Sequence, residues 1–67
     1  MKKGKKFVVI LNTIGDTIID HTDKSKDVDE WHETYANNEH AIELRIYQRK
    51  GLAYECVYHD YKRRIGF

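Results

Sequence analysis

Between Ile42 and Tyr47 the chain alternates. Ile42, Leu44 and Ile46 fall on one parity, and Glu43, Arg45 and Tyr47 on the other. A period of two marks a strand with one face buried. A second run, Leu52 to Tyr58, follows Gln48-Arg49-Lys50-Gly51, so the pair predicts a hairpin. A two-residue loop at Lys50-Gly51 would set Ile46 against Glu55 and mix the faces. A three-residue loop, Arg49-Lys50-Gly51, sets Ile46 against Tyr54, Leu44 against Cys56 and Ile42 against Tyr58. It also sets Arg45 opposite Glu55, a favourable cross-strand pair, with Gly51 in the left-handed position. The expected hairpin therefore has the three-residue loop.

The first half repeats the theme less cleanly. Lys6 to Asn12 is rich in β-branched residues, and Thr17-Ile18-Ile19-Asp20 returns after Gly15. A loop at Thr13-Ile14-Gly15 would face Ile10 to Ile18 and Val9 to Ile19, but the pattern does not fix this register. Apolar residues occur on both parities, as in a strand covered on both sides or packed against a partner. Between the hairpins, Val28, Trp31 and Tyr35, with His32 and Ala36 beside them, recur at helical spacing. Asp27 is the expected N-cap, with Glu30 completing a capping-box pattern. Asn37-Asn38 is the expected stop, since Asn tolerates the left-handed conformation. The predicted fold is α+β in the order β-β-α-β-β. Two hairpins form a mainly antiparallel sheet, one helix packs on one face, and residues 1–67 make a single small domain.

Size limits what such a fold can do. At 67 residues the core is small, and one cysteine, Cys56, excludes an internal disulfide. With 40% hydrophobic and 34% charged residues, the composition is that of a folded domain rather than a disordered chain. The longest apolar run, Phe7 to Leu11, is far short of the ~20 residues a bilayer crossing needs. Met1 to Lys6 looks like the start of a signal peptide, but the apolar stretch behind it is too short and lacks a cleavage site. The expected location is the cytoplasm. Net charge is only +1, yet it is unevenly spread. Residues 1–15 carry four lysines and no acids, and residues 16–39 carry eight acids against Lys24 and Lys26. Residues 40–67 are basic again, with Arg45, Arg49, Lys50, Lys62, Arg63 and Arg64 against Glu43, Glu55 and Asp60.

Candidate chemistry is sparse. A nucleophile with a base and an orienting group has one candidate cluster, Cys56, His59 and Asp60. Strand parity separates it: Cys56 shares a face with Tyr54 and Tyr58, and His59 points the other way. Cys56 is therefore expected in the core. His21, His32, His40 and His59 match no common metal-ligand spacing, and no glycine loop is built to cradle phosphate. Neither an enzyme nor a cofactor is expected. Tyr47 and Tyr61 share the outward parity of the last hairpin with Arg45 and His59, and the tail interleaves tyrosines with bases. Aromatics among cations are how sheet platforms hold single-stranded RNA or DNA. Binding another protein is the stronger expectation. Five Tyr, two Phe and one Trp supply interface anchors, and one helix covers only one sheet face. Two sheet edges are also left to accept another chain's strand, and the uncovered face implies either a homodimer or a captured partner. On the opposing view, Ile65-Gly66-Phe67 covers Phe7, Val9 and Leu11.

The stretch Lys26-Asp27-Val28-Asp29-Glu30-Trp31, then Thr34-Tyr35-Ala36, Ala41 and the hairpin ending Glu55-Cys56-Val57, resembles small early T-even phage proteins of the Dmd antitoxin type. The resemblance spans residues 26–57 and leaves out the first hairpin. It implies a phage protein in the host bacterial cytoplasm that inhibits or redirects a host protein by direct, non-catalytic contact. The hairpin-helix-hairpin layout is also similar to bacterial immunoglobulin-binding domains, a likeness of architecture that does not fix function. Two placements of the partner-binding surface stay open. One is the acidic helix bearing Asp29, Glu30 and Glu33, and the other is the face bearing Arg45, Tyr47 and Tyr61.

Overall fold

The computed structural model describes residues 5–62. Four strands, β1 (Phe7–Thr13), β2 (Thr17–Thr22), β3 (Ala41–Lys50) and β4 (Ala53–Tyr61), form one antiparallel sheet in the order β2-β1-β3-β4. One helix, α1 (Ser25–Asn37), joins β2 to β3 and lies across one face. The α+β fold expected from the chain is thus the one observed.

The sheet's centre is the β1–β3 pair. Val9 stands opposite Ile46 and Leu11 opposite Leu44, and all four side chains are fully buried beneath the helix. Tyr35 and Ala41 complete the buried cluster, with Phe7, Val28 and Trp31 packed at its margin. Phe7, Val9 and Leu11 thus face the helix, which does the covering proposed for Ile65-Gly66-Phe67; those three tail residues lie outside the described residues. Of the expected helix stripe, Tyr35 is buried, Val28, Trp31 and His32 are half-buried, and Ala36 is exposed.

The structure fixes the first hairpin register, which the pattern left open, and differs from the expected register in the second. In the first, Ile10 pairs with Ile19 and Leu11 with Ile18, one residue away from the Thr13-Ile14-Gly15 loop register. Asp16 sets this longer connection, since its backbone carbonyl accepts from the Thr13 N–H at 2.8 Å and its carboxylate caps the Thr17 N–H at 2.9 Å. In the second, Lys50 pairs with Ala53 across a two-residue Gly51-Leu52 turn, with Gly51 at φ 64°. A glycine at positive φ in the first turn position, followed by a residue at negative φ, is the type II′ arrangement. Tyr54 then faces Arg49, Glu55 faces Gln48 and Cys56 faces Tyr47. A β-bulge at Val57 restores the apolar phase, so that Tyr58 faces Ile46 and His59 faces Arg45. That bulge reverses the alternation within β4. Cys56 is exposed rather than core, and it lies on the same sheet face as His59.

The helix begins two residues before the expected cap. Lys24 is the N-cap and makes no side-chain cap bond. Thr22 fastens the helix start to β2: its hydroxyl accepts from the Lys24 N–H at 3.1 Å and donates to the Asp27 carboxylate at 2.6 Å. Asp27 thus sits inside the first turn, where the helix dipole favours an acid. The helix stops at Asn38 as expected, but in extended geometry (φ −91°); its side-chain oxygen accepts from the His40 N–H instead. At this end Lys62, from beyond β4, donates to the Tyr35 carbonyl at 2.6 Å and lies 4.6 Å over the Tyr35 ring.

A core of this size leaves little reserve: total stability for such a chain is roughly 3–10 kcal/mol. Leu44→Ala is expected to cost about 2–5 kcal/mol, enough to unfold much of the population. Leu52→Ala, at a side chain 99% exposed, is expected to leave the midpoint of a urea melt unchanged.

Candidate functional site

With the helix on one side, the opposite face of the sheet is bare among the described residues. Registers across the four strands order its side chains into rungs. His21, Val8, Tyr47 and Cys56 form one rung, and Ile19, Ile10, Arg45 and His59 the next. Thr17, Asn12, Glu43 and Tyr61 form the third. At the other end Lys6 donates its backbone N–H to Asp23 and accepts from the Arg49 N–H, with Tyr54 beyond Arg49. Ile19 is 57% exposed and Tyr61 63% exposed, so apolar surface is open to solvent here.

A polar chain crosses the third rung. Thr17 donates to Asn12 at 2.8 Å, and Asn12 donates to Glu43 at 2.7 Å. The other Glu43 oxygen accepts from Arg45 Nε at 2.9 Å and lies 2.6 Å from His59 Nε2. Glu43 is only 13% exposed. Its pKa is lowered, chiefly by the Arg45 guanidinium, then by Asn12, with a smaller contribution from His59. Arg45 is held more firmly in its charged form by the Tyr47 phenol beside it and by Glu43. The guanidinium at the centre of this face is therefore anchored and largely neutralised. Across the rungs, Lys6, Arg45 and Arg49 stand against Asp23 and Glu43, so the face is near neutral.

The structure brings Arg45, Tyr47 and Tyr61 onto this one surface, with His59 beside them. Asp29, Glu30 and Glu33 are exposed on the helix, across the sheet from them. The two candidate surfaces thus lie back to back, and no single flat interface includes both. Beside the acidic helix is an open cleft of about 360 Å³, lined by Asp20, Asp27, Glu30, Trp31 and Thr34. Asp20 accepts from the Trp31 indole N–H at 3.0 Å, which fixes one wall. Pattern reading missed Glu43, the residue that organises the open face. Its signal was present in its outward parity between Arg45 and the last strand, but its partners come from β1 and β4.

Among the described residues no group of three His, Cys, Asp or Glu gathers as metal ligands. The Cys56 thiol is placed 3.4 Å from the Tyr58 carbonyl, and His59 is engaged with Glu43. Among the described residues no helix is long and apolar enough to cross a membrane. Compared with family models, curated proteins and solved structures, the chain matches none.

Because folding lowers the Glu43 pKa, its contribution to stability is present in full above its ordinary value of 4.5. That contribution is lost as pH falls through the lower folded value. Urea midpoints measured from pH 6 downward should therefore fall less steeply for Glu43→Gln than for the parent chain. Equal acid slopes would show that the Asn12–Glu43–Arg45 chain is not coupled to folding.

Proposed function

We propose that the chain is a non-catalytic binding protein that acts by direct contact with another protein through the open face of the sheet. Arg45, Tyr47 and Tyr61 are its anchors. The observation that carries this reading is the one-sided cover: α1 buries one face, while Val8, Ile10, Ile19, Tyr47, Tyr54 and Tyr61 stand on the other. Tyrosine and arginine over an apolar floor are the composition of interface hot spots, and a near-neutral centre suits a protein surface better than a phosphate backbone. The resemblance to small early phage proteins extends the proposal. The partner is then a host protein, met in the bacterial cytoplasm and inhibited or redirected by masking.

The acidic helix has a separate part in this scheme. Asp27, Asp29, Glu30 and Glu33 against Lys26 give α1 a negative face that steers approach to a basic partner surface. Steering acts on the rate of encounter, whereas the buried aromatic anchors act on the rate of release.

A tagged chain is incubated with bacterial lysate, with and without nuclease, and the captured material is identified by mass spectrometry. A near-stoichiometric protein that survives nuclease supports the proposal. Tyr47→Ala with Tyr61→Ala should then weaken its binding at least ~30-fold, as loss of hot-spot residues does. Reversing Asp29, Glu30 and Glu33 should slow association and flatten its salt dependence. Material lost on nuclease treatment, with affinity falling steeply in salt, would replace the proposal with single-stranded RNA or DNA binding on the same tyrosines.

A further inference from the structure

The two edges of the sheet are not equivalent. At β2 the backbone N–H groups of Thr17 and His21 are taken by the carboxylates of Asp16 and Asp20, each at 2.9 Å. A strand approaching that edge would meet two carboxylates where it needs free donors. At β4 no such cover exists among the described residues. Every residue of β4 is exposed, and the strand pairs only with β3. The Lys62 N–H donates inward to the Ile42 carbonyl, so by alternation the backbone groups of Tyr61 and His59 point outward. No proline and no lysine lies in the strand, and its bulge at Val57 leaves the stretch from Tyr58 to Tyr61 regular.

We infer that β4 is the site of self-association: a second copy of this chain adds its own β4 antiparallel to the first, making one continuous eight-stranded sheet. Two identical antiparallel strands are related by a two-fold axis, so a single free edge completes the contact without a second surface. Centring the axis on His59 pairs Val57 with Tyr61 of the second copy and Tyr58 with Asp60. These two pairs join apolar to apolar and phenol to carboxylate. Val57 and Tyr61 are 48% and 63% exposed in the single chain, and both would be covered. Asp60 uses one oxygen to accept from the Tyr35 hydroxyl at 2.8 Å, which leaves the other for the incoming phenol. Centring on Asp60 would place two carboxylates face to face, and that register is excluded by like charge. The bulge at Val57 ends the ladder on one side, so the pairing runs from Val57 to Tyr61.

The consequence goes beyond single-site binding and does not depend on it. An axis perpendicular to the sheet leaves both helices on one side and both open faces on the other. Tyr61 and His59 from each copy meet at the middle of a doubled platform. So short a ladder buries well under the ~800 Å² per partner of a standard interface, so the dimer is weak, with Kd of roughly 10 μM to 1 mM.

The test is sedimentation equilibrium of the full chain across that concentration range, with no partner present. The mass should rise from 8.0 kDa towards twice that value. His59→Pro removes an outward N–H and Val57→Lys places a charge on the edge; each should weaken dimerisation at least tenfold. Far-UV circular dichroism checks that each variant is folded, and Val57→Lys decides alone where the proline variant is not. Ile19→Pro, the equivalent change on the β2 edge, should leave the dimer intact. A chain that stays at 8.0 kDa throughout overturns the inference. So does a dimer that survives Val57→Lys, or one that dissociates with Ile19→Pro or Tyr47→Ala instead.

Discussion

Everything in this small fold hangs on the pairing of β1 with β3. Among the described residues, Val9 on Ile46 and Leu11 on Leu44 are the only places where two neighbouring strands both bury large aliphatic side chains completely. Their burial requires a lid, and the lid is one helix of 13 residues. A helix of that length spans the central strands and reaches towards β2, but it cannot cover a four-stranded sheet from edge to edge. The exposure of β4, the half-exposed Ile18 and the bare opposite face are therefore one geometric consequence. Among the described residues, one face of the sheet is sealed and the other is not.

The helix is held down as much by polar fastenings as by its stripe. Thr22 ties Asp27, Asp20 takes the Trp31 indole, and Asp60 takes the Tyr35 phenol. In each case a hydroxyl or an N–H is paired with a carboxylate at the core margin, where an unpaired group would cost more than the bond supplies. Burial and the Asp60 carboxylate together push the Tyr35 phenol upward in pKa, so it remains a donor. Lys62 completes the set by meeting the C-terminal carbonyls of the helix, although the last turn itself carries no base. These acids account for part of the negative run in the middle of the chain. Asp20 and Asp27 hold helix fastenings, whereas Asp29, Glu30 and Glu33 are exposed on the helix.

The order of elements, the stripe of Val28, Trp31 and Tyr35, and the outward parity of Arg45, Tyr47 and Tyr61 were all legible in the pattern of residues. Strand pairing was not, for a definable reason. A period of two reports which residues share a face only while the strand is regular, and the bulge at Val57 reverses the phase halfway along β4. Keeping Ile46 opposite an apolar residue without a bulge forced a three-residue loop and buried Cys56. The actual chain satisfies Ile46 with Tyr58 by adding one residue, and Cys56 turns out to solvent. Capping failed similarly. Thr22 reaches Asp27 from outside the expected cap position, while Lys62 meets Tyr35 and Glu43 meets Asn12 and His59 across long stretches of chain, and no local motif announces such bonds.

The back-to-back arrangement of the two charged and aromatic surfaces bears on how a chain this small can be selective. A single flat face of tyrosines over aliphatic residues is sticky but indiscriminate, because apolar contact has no preferred direction. What gives the open face direction is Glu43, which holds Arg45 by a hydrogen bond from the next rung and keeps His59 within 2.6 Å. An arginine fixed in this way presents its remaining N–H groups in one orientation, with less side-chain entropy left to lose when an acceptor arrives. The acids on α1 point away from that face, so the charge is divided unevenly between the two sides of the sheet. On the proposed function, steering during approach and fit at the surface would fall to opposite sides of the same sheet.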